Sequence, residues 1–182
     1  MKITLLGTGP ALPAPERGQS AILLSLDSGK HYLFDCGEGA TRQMVRADVN
    51  PADVSLVFLT HLHHDHISDF PNFVISSWLL NRQGSPLVLG PRGTQNFVTH
   101  LFEGGAFHAD FLARSALQAR KDNIAAVRPV VQEISPGVVY DDGEVRITAA
   151  HVEHLPHHIC ECFGVRIVAE GKVVGFRGDT QP

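Results

Sequence analysis

Cysteine is scarce in this chain: Cys36, Cys160 and Cys162 are the only three in 182 residues. An odd number with no even spacing excludes the disulfide framework of a small secreted scaffold, and a reducing cytoplasmic setting is expected. Long apolar runs are missing too. Nothing approaches the ~20 residues that span a bilayer, and Met1-Lys2-Ile3-Thr4-Leu5-Leu6 is broken by Gly7 before it could serve as a secretory signal. No membrane role is expected. Positive charge is in deficit, with 15 Lys and Arg against 19 Asp and Glu, a net charge of −4 with histidines neutral. Such a chain has no global attraction for nucleic acid, so any recognition of phosphate must come from a local site. What remains suffices for a core: 43% apolar and 19% charged residues suit one compact domain over residues 1–182.

Histidine is the abundant residue. There are 11, and they gather at 61–66 and 151–158, which suggests one site assembled from two segments. The first group, Thr60-His61-Leu62-His63-His64-Asp65-His66, follows Val54-Ser55-Leu56-Val57-Phe58-Leu59, an apolar run that reads as a strand buried on both faces. A solvated histidine tract would not be mounted on such a support.

The rest of the chain reads as alternating strands and helices. Residues 2–6 form a first strand ending at Gly7-Thr8-Gly9-Pro10, and two prolines and a glycine make 11–20 an exposed loop carrying Arg17. Residues 21–26 and 31–34 pair across the turn Asp27-Ser28-Gly29-Lys30. Asp35, at the end of that strand, is either a simple turn residue or an acceptor for a neighbouring segment. Residues 40–47 have helical spacing, so strand, helix and strand make an α/β unit. Asp69 can cap a helix with Pro71 in its first turn and Phe70, Phe73, Val74, Ser77 and Trp78 on one face. Residues 87–91 make a short buried strand and 94–102 a helix. Between 103 and 128, Phe111, Leu112, Ser115, Ala116 and Ala119 form a weak helical face with Arg114, Arg120 and Lys121 outside it, suited to a surface helix or a lid over the site. Strand patterns return at 130–134, 145–150, 163–168 and 172–176.

In an extended segment His61 and His63 point the same way and can share one ion, while Asp65 and His66 face a neighbouring position. Nitrogen and carboxylate ligands without thiolates suit Zn²⁺, with Mn²⁺ or Fe also possible, and they leave open positions for water and substrate. Two such ions ~3.5–4 Å apart lower the pKa of a shared water towards neutrality. Alternation along the strand before the second group projects His154 as a third nitrogen ligand and puts His151 on the other face. His157 and His158 are further candidates, and Asp179 at the last strand end can bridge two cations. Cys160 and Cys162 beside His157 and His158 are either a thiolate site or part of a buried strand pair.

The motif His-x-His-x-Asp-His at 61–66 resembles the signature of the metallo-β-lactamase superfamily. Leu6-Gly7-Thr8-Gly9, Arg17, Ser20, Phe34-Asp35-Cys36-Gly37-Glu38-Gly39, Gly90-Pro91, Phe163-Gly164-Val165-Arg166-Ile167 and Gly178-Asp179-Thr180 narrow the resemblance to its tRNase Z and arylsulfatase-like branch. The resemblance implies an α/β fold, the αββα sandwich, with two zinc ions. It implies His61, His63 and His154 on one metal, Asp65 and His66 on the other, Asp179 bridging, and Asp65 as the general base of phosphodiester hydrolysis. Against that pattern, the chain ends soon after Asp179, Arg177 stands where serine is usual, and the long insertion that grips tRNA is absent. The expectation is an incomplete sandwich truncated after Gly-Asp-Thr, acting as a metal-dependent hydrolase on a small-molecule or nucleotide phosphodiester, with tRNA not expected. An open inner sheet face would then be covered by a second copy or a partner chain. The competing class is a non-catalytic half-domain or interaction module.

Overall fold

The computed structural model describes residues 1–181, with side chains throughout except at 118–122. Ala119, assigned above to a helical face, and Arg120 and Lys121, placed outside that face, therefore have side chains outside the described set. Strands β1 (Lys2–Gly7), β2 (Ala21–Ser25), β3 (His31–Phe34), β4 (Val54–Phe58), β5 (Leu87–Gly90) and β6 (Val130–Glu133) lie side by side in that order. The first three pair antiparallel and β3 to β6 pair parallel. Parallel neighbours need crossover connections. These are helix α1 (Ala40–Arg46) between β3 and β4, then α2 (His64–Ile67) and α3 (Phe70–Leu79) before β5, and α4 (Thr94–Phe102) and α5 (His108–Ser115) before β6.

Strand alternation divides the core in two. On one face of the first sheet Leu33, Val57 and Val88 meet Met44 of α1 and Phe73, Val74 and Trp78 of α3. On the other face Tyr32, Phe34, Leu56 and Phe58 meet Ile147, Phe163 and Ile167. The latter three belong to a second, antiparallel sheet of β7 (Gly137–Asp141), β8 (Val145–His151), β9 (Phe163–Ala169) and β10 (Lys172–Phe176), in the order β10-β9-β8-β7. Each large side chain fully buried there is worth about 1.5–3 kcal/mol. A single hydrogen bond such as that from the Tyr32 hydroxyl to Asp142, 2.8 Å, contributes about 1 kcal/mol, so apolar packing holds the sheets together.

Three expectations change. The inner face of the first sheet is not open, because the second sheet covers it. The bare face is the outer side of the second sheet, where Val138 and Val173 are exposed and no helix packs among the described residues. Residues 103–128 are not a lid. Phe111 of α5 sits 5.9 Å from the ring of Trp78 and Val127 is buried, so the segment completes the helical layer over the first sheet. Asp69 occupies the N-cap of α3 without capping it. Its backbone is already helical (φ −91, ψ −3), whereas a capping side chain needs an extended residue. Its carboxylate instead accepts from the Thr41 N–H of α1 at 2.6 Å.

Candidate metal centre

The parallel register that sets Phe34 opposite Phe58 also brings the ends of β3 and β4 together. Asp35 thus stands beside Thr60. It adopts a left-handed backbone conformation (φ 59), which turns its buried carboxylate towards β4. There it accepts from the Thr60 N–H at 2.8 Å, from the Thr60 hydroxyl at 3.0 Å and from His66 Nδ1 at 2.7 Å. The role left open for Asp35 is therefore that of an acceptor. With Nδ1 engaged, His66 presents Nε2 to the site, the usual way an outer carboxylate orients an imidazole.

His61 is held similarly. Its Nδ1 lies 3.0 Å from the Thr60 hydroxyl, and its Nε2 is buried with no hydrogen-bond partner among the described residues. Around that bare nitrogen are the rings of His66 at 4.1 Å, His63 at 4.6 Å and His154 at 5.1 Å between centroids. His154 Nε2 is 3.3 Å from His63 Nδ1. Asp179 reaches both sides, one carboxylate oxygen 3.5 Å from His66 Nε2 and the other 3.9 Å from His154 Nε2. Asp65, buried in the first turn of α2, lies 3.6 Å from His66 Nε2. Among the described residues two sets have ligand atoms within 4.8 Å of one another, His61 with His63 and His154, and His61 with His66 and Asp179. Asp65 stands next to the second set, at His66.

Electrostatics sort the imidazoles. Burial, then the neighbouring His66, His63 and His154, push the His61 pKa down to about 3. At neutral pH it is unprotonated, the form that binds a metal. Burial also pulls His66 down, but the Asp35 hydrogen bond and the charges of Asp35, Asp179 and Asp65 outweigh it and raise its pKa.

Other candidates are placed elsewhere. His64 points outward, its Nε2 3.2 Å from the Ala11 carbonyl oxygen. His151 and His157 face each other at 4.6 Å beside Glu161 and Glu153. His158 belongs to neither donor set, and the free Cys160 and Cys162 form no donor set with His157 and His158 among the described residues. Arg17 turns back on its own loop, donating to the Thr8 carbonyl at 3.3 Å.

Sequence reasoning missed Gln19 and Thr60. The buried Gln19 amide donates to the Ala11 carbonyl at 3.1 Å and accepts from Glu38 N–H at 3.2 Å and the Ser68 hydroxyl at 2.9 Å, tying three loops around the site. Its one local signal is a polar residue two positions before a strand. Gly37 makes this clamp possible: a Cβ there would fall 2.2 Å from the Asp65 carbonyl oxygen.

The bare His61 nitrogen among nitrogen and carboxylate donors, with no thiolate, fits a Zn²⁺, Mn²⁺ or Fe ion. Comparison with known proteins agrees with that chemistry. The family model of the Anti-Pycsar protein Apyc1 matches residues 1–182. A ribonuclease Z from Mycobacterium marinum is 35% identical over 186 residues, covering 100% of this chain and 64% of that protein. A ribonuclease BN from Cronobacter sakazakii is 34% identical, covering 94% and 51%. The chain thus spans a little under two thirds of the mycobacterial relative. Among solved structures, the short form of human tRNase Z superposes with a TM-score of 0.75 at 25% identity, covering 98% of this chain and 69% of that one. A metallo-β-lactamase fold protein from Bacillus subtilis, at 19% identity and a TM-score of 0.68, shares the fold over 97% of this chain and 61% of its own.

Proposed function

The chain belongs to the Anti-Pycsar protein Apyc1 family, within the tRNase Z-like branch of the metallo-β-lactamase superfamily, and from that premise we propose that it is a metal-dependent hydrolase of phosphodiesters. The observation that carries the reading is the convergence of His63, His66, His154 and Asp179 around the buried, unpartnered Nε2 of His61. His61, His63 and His154 would hold one ion, and Asp65 and His66 a second. Asp179, with an oxygen towards His66 and another towards His154, would serve both. A bound Zn²⁺ or Mn²⁺ supplies Lewis acidity to a phosphoryl oxygen and lowers the pKa of water.

The chain's own groups supply position and proton transfer. Asp65 is a buried carboxylate beside His66 Nε2, whereas the Asp35 carboxylate is already engaged by Thr60 and His66 Nδ1, so Asp65 is the proposed acceptor of a proton from the attacking water. Asp35 fixes the His66 tautomer, and Thr60 fixes that of His61. Gln19 holds the loop 8–18 against the Asp35 to Gly39 turn and the end of α2, so the rim of the site is built from fixed segments.

The named relatives are ribonucleases, but β9 and β10 of this chain are joined directly at Glu170-Gly171, with no inserted arm to grip a folded RNA. The proposed substrate is therefore a small-molecule or nucleotide phosphodiester. The test is to measure bound metal per chain and hydrolysis of bis(p-nitrophenyl) phosphate with added Zn²⁺ or Mn²⁺. The expected result is metal-dependent turnover and two ions per chain, with turnover falling at least ~100-fold in His63→Ala. At most one ion, with turnover insensitive to His63→Ala, would favour the non-catalytic reading.

A further inference from the structure

At the other end of β4 lies a second polar cavity. Val54 begins the strand and His61 follows it, seven residues on, so the two places are roughly 20 Å apart. After α3, Asn81 takes a left-handed conformation (φ 66) that turns the chain back beneath the sheet. Arg82 is thereby carried inside, 5% exposed. Its Nη2 donates to the Val54 carbonyl at 2.6 Å and its Nη1 to the Ala52 carbonyl at 3.4 Å, while its Nε is buried with no partner among the described residues. Asp53 acts on this guanidinium only through space. A buried cation satisfied by carbonyls alone leaves much of its desolvation uncompensated.

Arg82 is one of the residues around a cavity of about 380 Å³, which Asn50, Ser55 and Gln83 also line. Asn50 spends its Oδ1 on the Ala52 N–H at 3.0 Å, so its amide N–H groups remain as donors. From the buried cation, the adjoining donors and the polar lining we propose that this cavity binds a small oxyanion of the phosphate or phosphomonoester class. Arg82 is its countercharge and Asn50 and Ser55 its donors. Asp53, on the exposed rim, is the carboxylate of the lining. It favours a ligand that brings a hydroxyl or a protonated phosphate oxygen to it, and the volume leaves room for a short hydroxylated substituent. The site is separate from the metal centre and does not depend on the hydrolase reading.

Removing Arg82 would also release two carbonyls at the start of β4, so the informative variant is Asn50→Asp. Aspartate keeps the acceptor that Ala52 uses but replaces the donors with a second negative charge. Metal-free protein is titrated with inorganic phosphate and with ribose 5-phosphate, against sodium chloride of equal ionic strength, and backbone amide shifts are followed by NMR. The expected result is saturable shifts at residues 50–55 and 82–83 with both phosphates, weakened at least tenfold in Asn50→Asp, whose melting temperature without phosphate is unchanged. The tighter of the two identifies the source as free phosphate or a phosphomonoester. Shifts confined to residues 61–66 and 154, shifts reproduced by chloride, or equal affinity in Asn50→Asp would each overturn the proposal.

Discussion

Replacing Asp35 tests how the site is held together. Its carboxylate accepts the Thr60 N–H, the Thr60 hydroxyl and His66 Nδ1, all from buried groups. Asp35→Ala leaves the Thr60 N–H unsatisfied, at about 1–3 kcal/mol, and removes a charge-assisted bond to His66 worth about 1.5–3 kcal/mol. These effects share one carboxylate and do not add fully, so about 3 kcal/mol is expected from them together. The left-handed backbone, which aspartate and asparagine tolerate and alanine does not, adds about 1 kcal/mol. Asp35→Asn keeps an acceptor oxygen and the tolerated backbone, and it should cost about half as much. Urea unfolding of metal-free protein, compared at constant m, measures both differences. Competition with a chelator measures the second consequence, a loss of metal affinity of about 10- to 100-fold in Asp35→Asn. A loss below ~1 kcal/mol in Asp35→Ala, or unchanged metal affinity in Asp35→Asn, would refute the assignment.

Gly37→Ala drives a methyl against the Asp65 carbonyl oxygen and Gln19 Cβ, at 2.2 and 2.7 Å. Neither can yield cheaply, so calorimetry should show a loss of about 3 kcal/mol or more together with reduced hydrolysis. Asp69→Ala removes the acceptor for Thr41 N–H and should cost about 1 kcal/mol in denaturant unfolding, with bound metal unchanged. The metal-free protein should be most stable near the ordinary histidine pKa. The folded-state pKa of His61 lies far below its unfolded value, so the unfolded chain takes the proton first and stability falls as pH drops from about 6.5 towards 3. His66 has its pKa raised, so its contribution is complete below about 6.5 and is lost as pH rises through the raised value. Melting temperature against pH should show both limbs, and His61→Asn should flatten the acid one. A profile without an acid limb in the unsubstituted protein refutes the His61 account.

The elements that rest on short-range pattern were legible. The run at 54–59, the helix at 70–79 with its five-residue face and the histidine motif all follow from alternation, helical spacing and ligand chemistry within one segment. His154 and Asp179 were also placed at strand ends, beside the first histidines, where the fold puts them. What escaped depends on contacts between segments distant in sequence. Gln19 gives no local sign that its amide will meet Ala11, Glu38 and Ser68. Asp69 sits where a capping residue belongs, yet its backbone angles send the carboxylate to a different helix. The strands at 145–150, 163–168 and 172–176 read correctly as strands while β7 was not assigned, and their alternation could not say which sheet they would cover. That is why the open face was assigned to the wrong sheet.

Asp179 arrives at the site just after β10, where Gly178 takes φ 60 and comes close to the Thr60 side chain. The last strand of one sheet thereby delivers a carboxylate to histidines mounted on the other. An ion shared between His61 and Asp179 would join residues about 120 apart in sequence, and because such a site rarely exists in the unfolded chain its binding free energy would add to folding. It would act as a removable cross-link between the two sheets. Chelation would then do more than silence a catalyst: it would withdraw that binding free energy from the folded state and loosen the hold of the second sheet on the first.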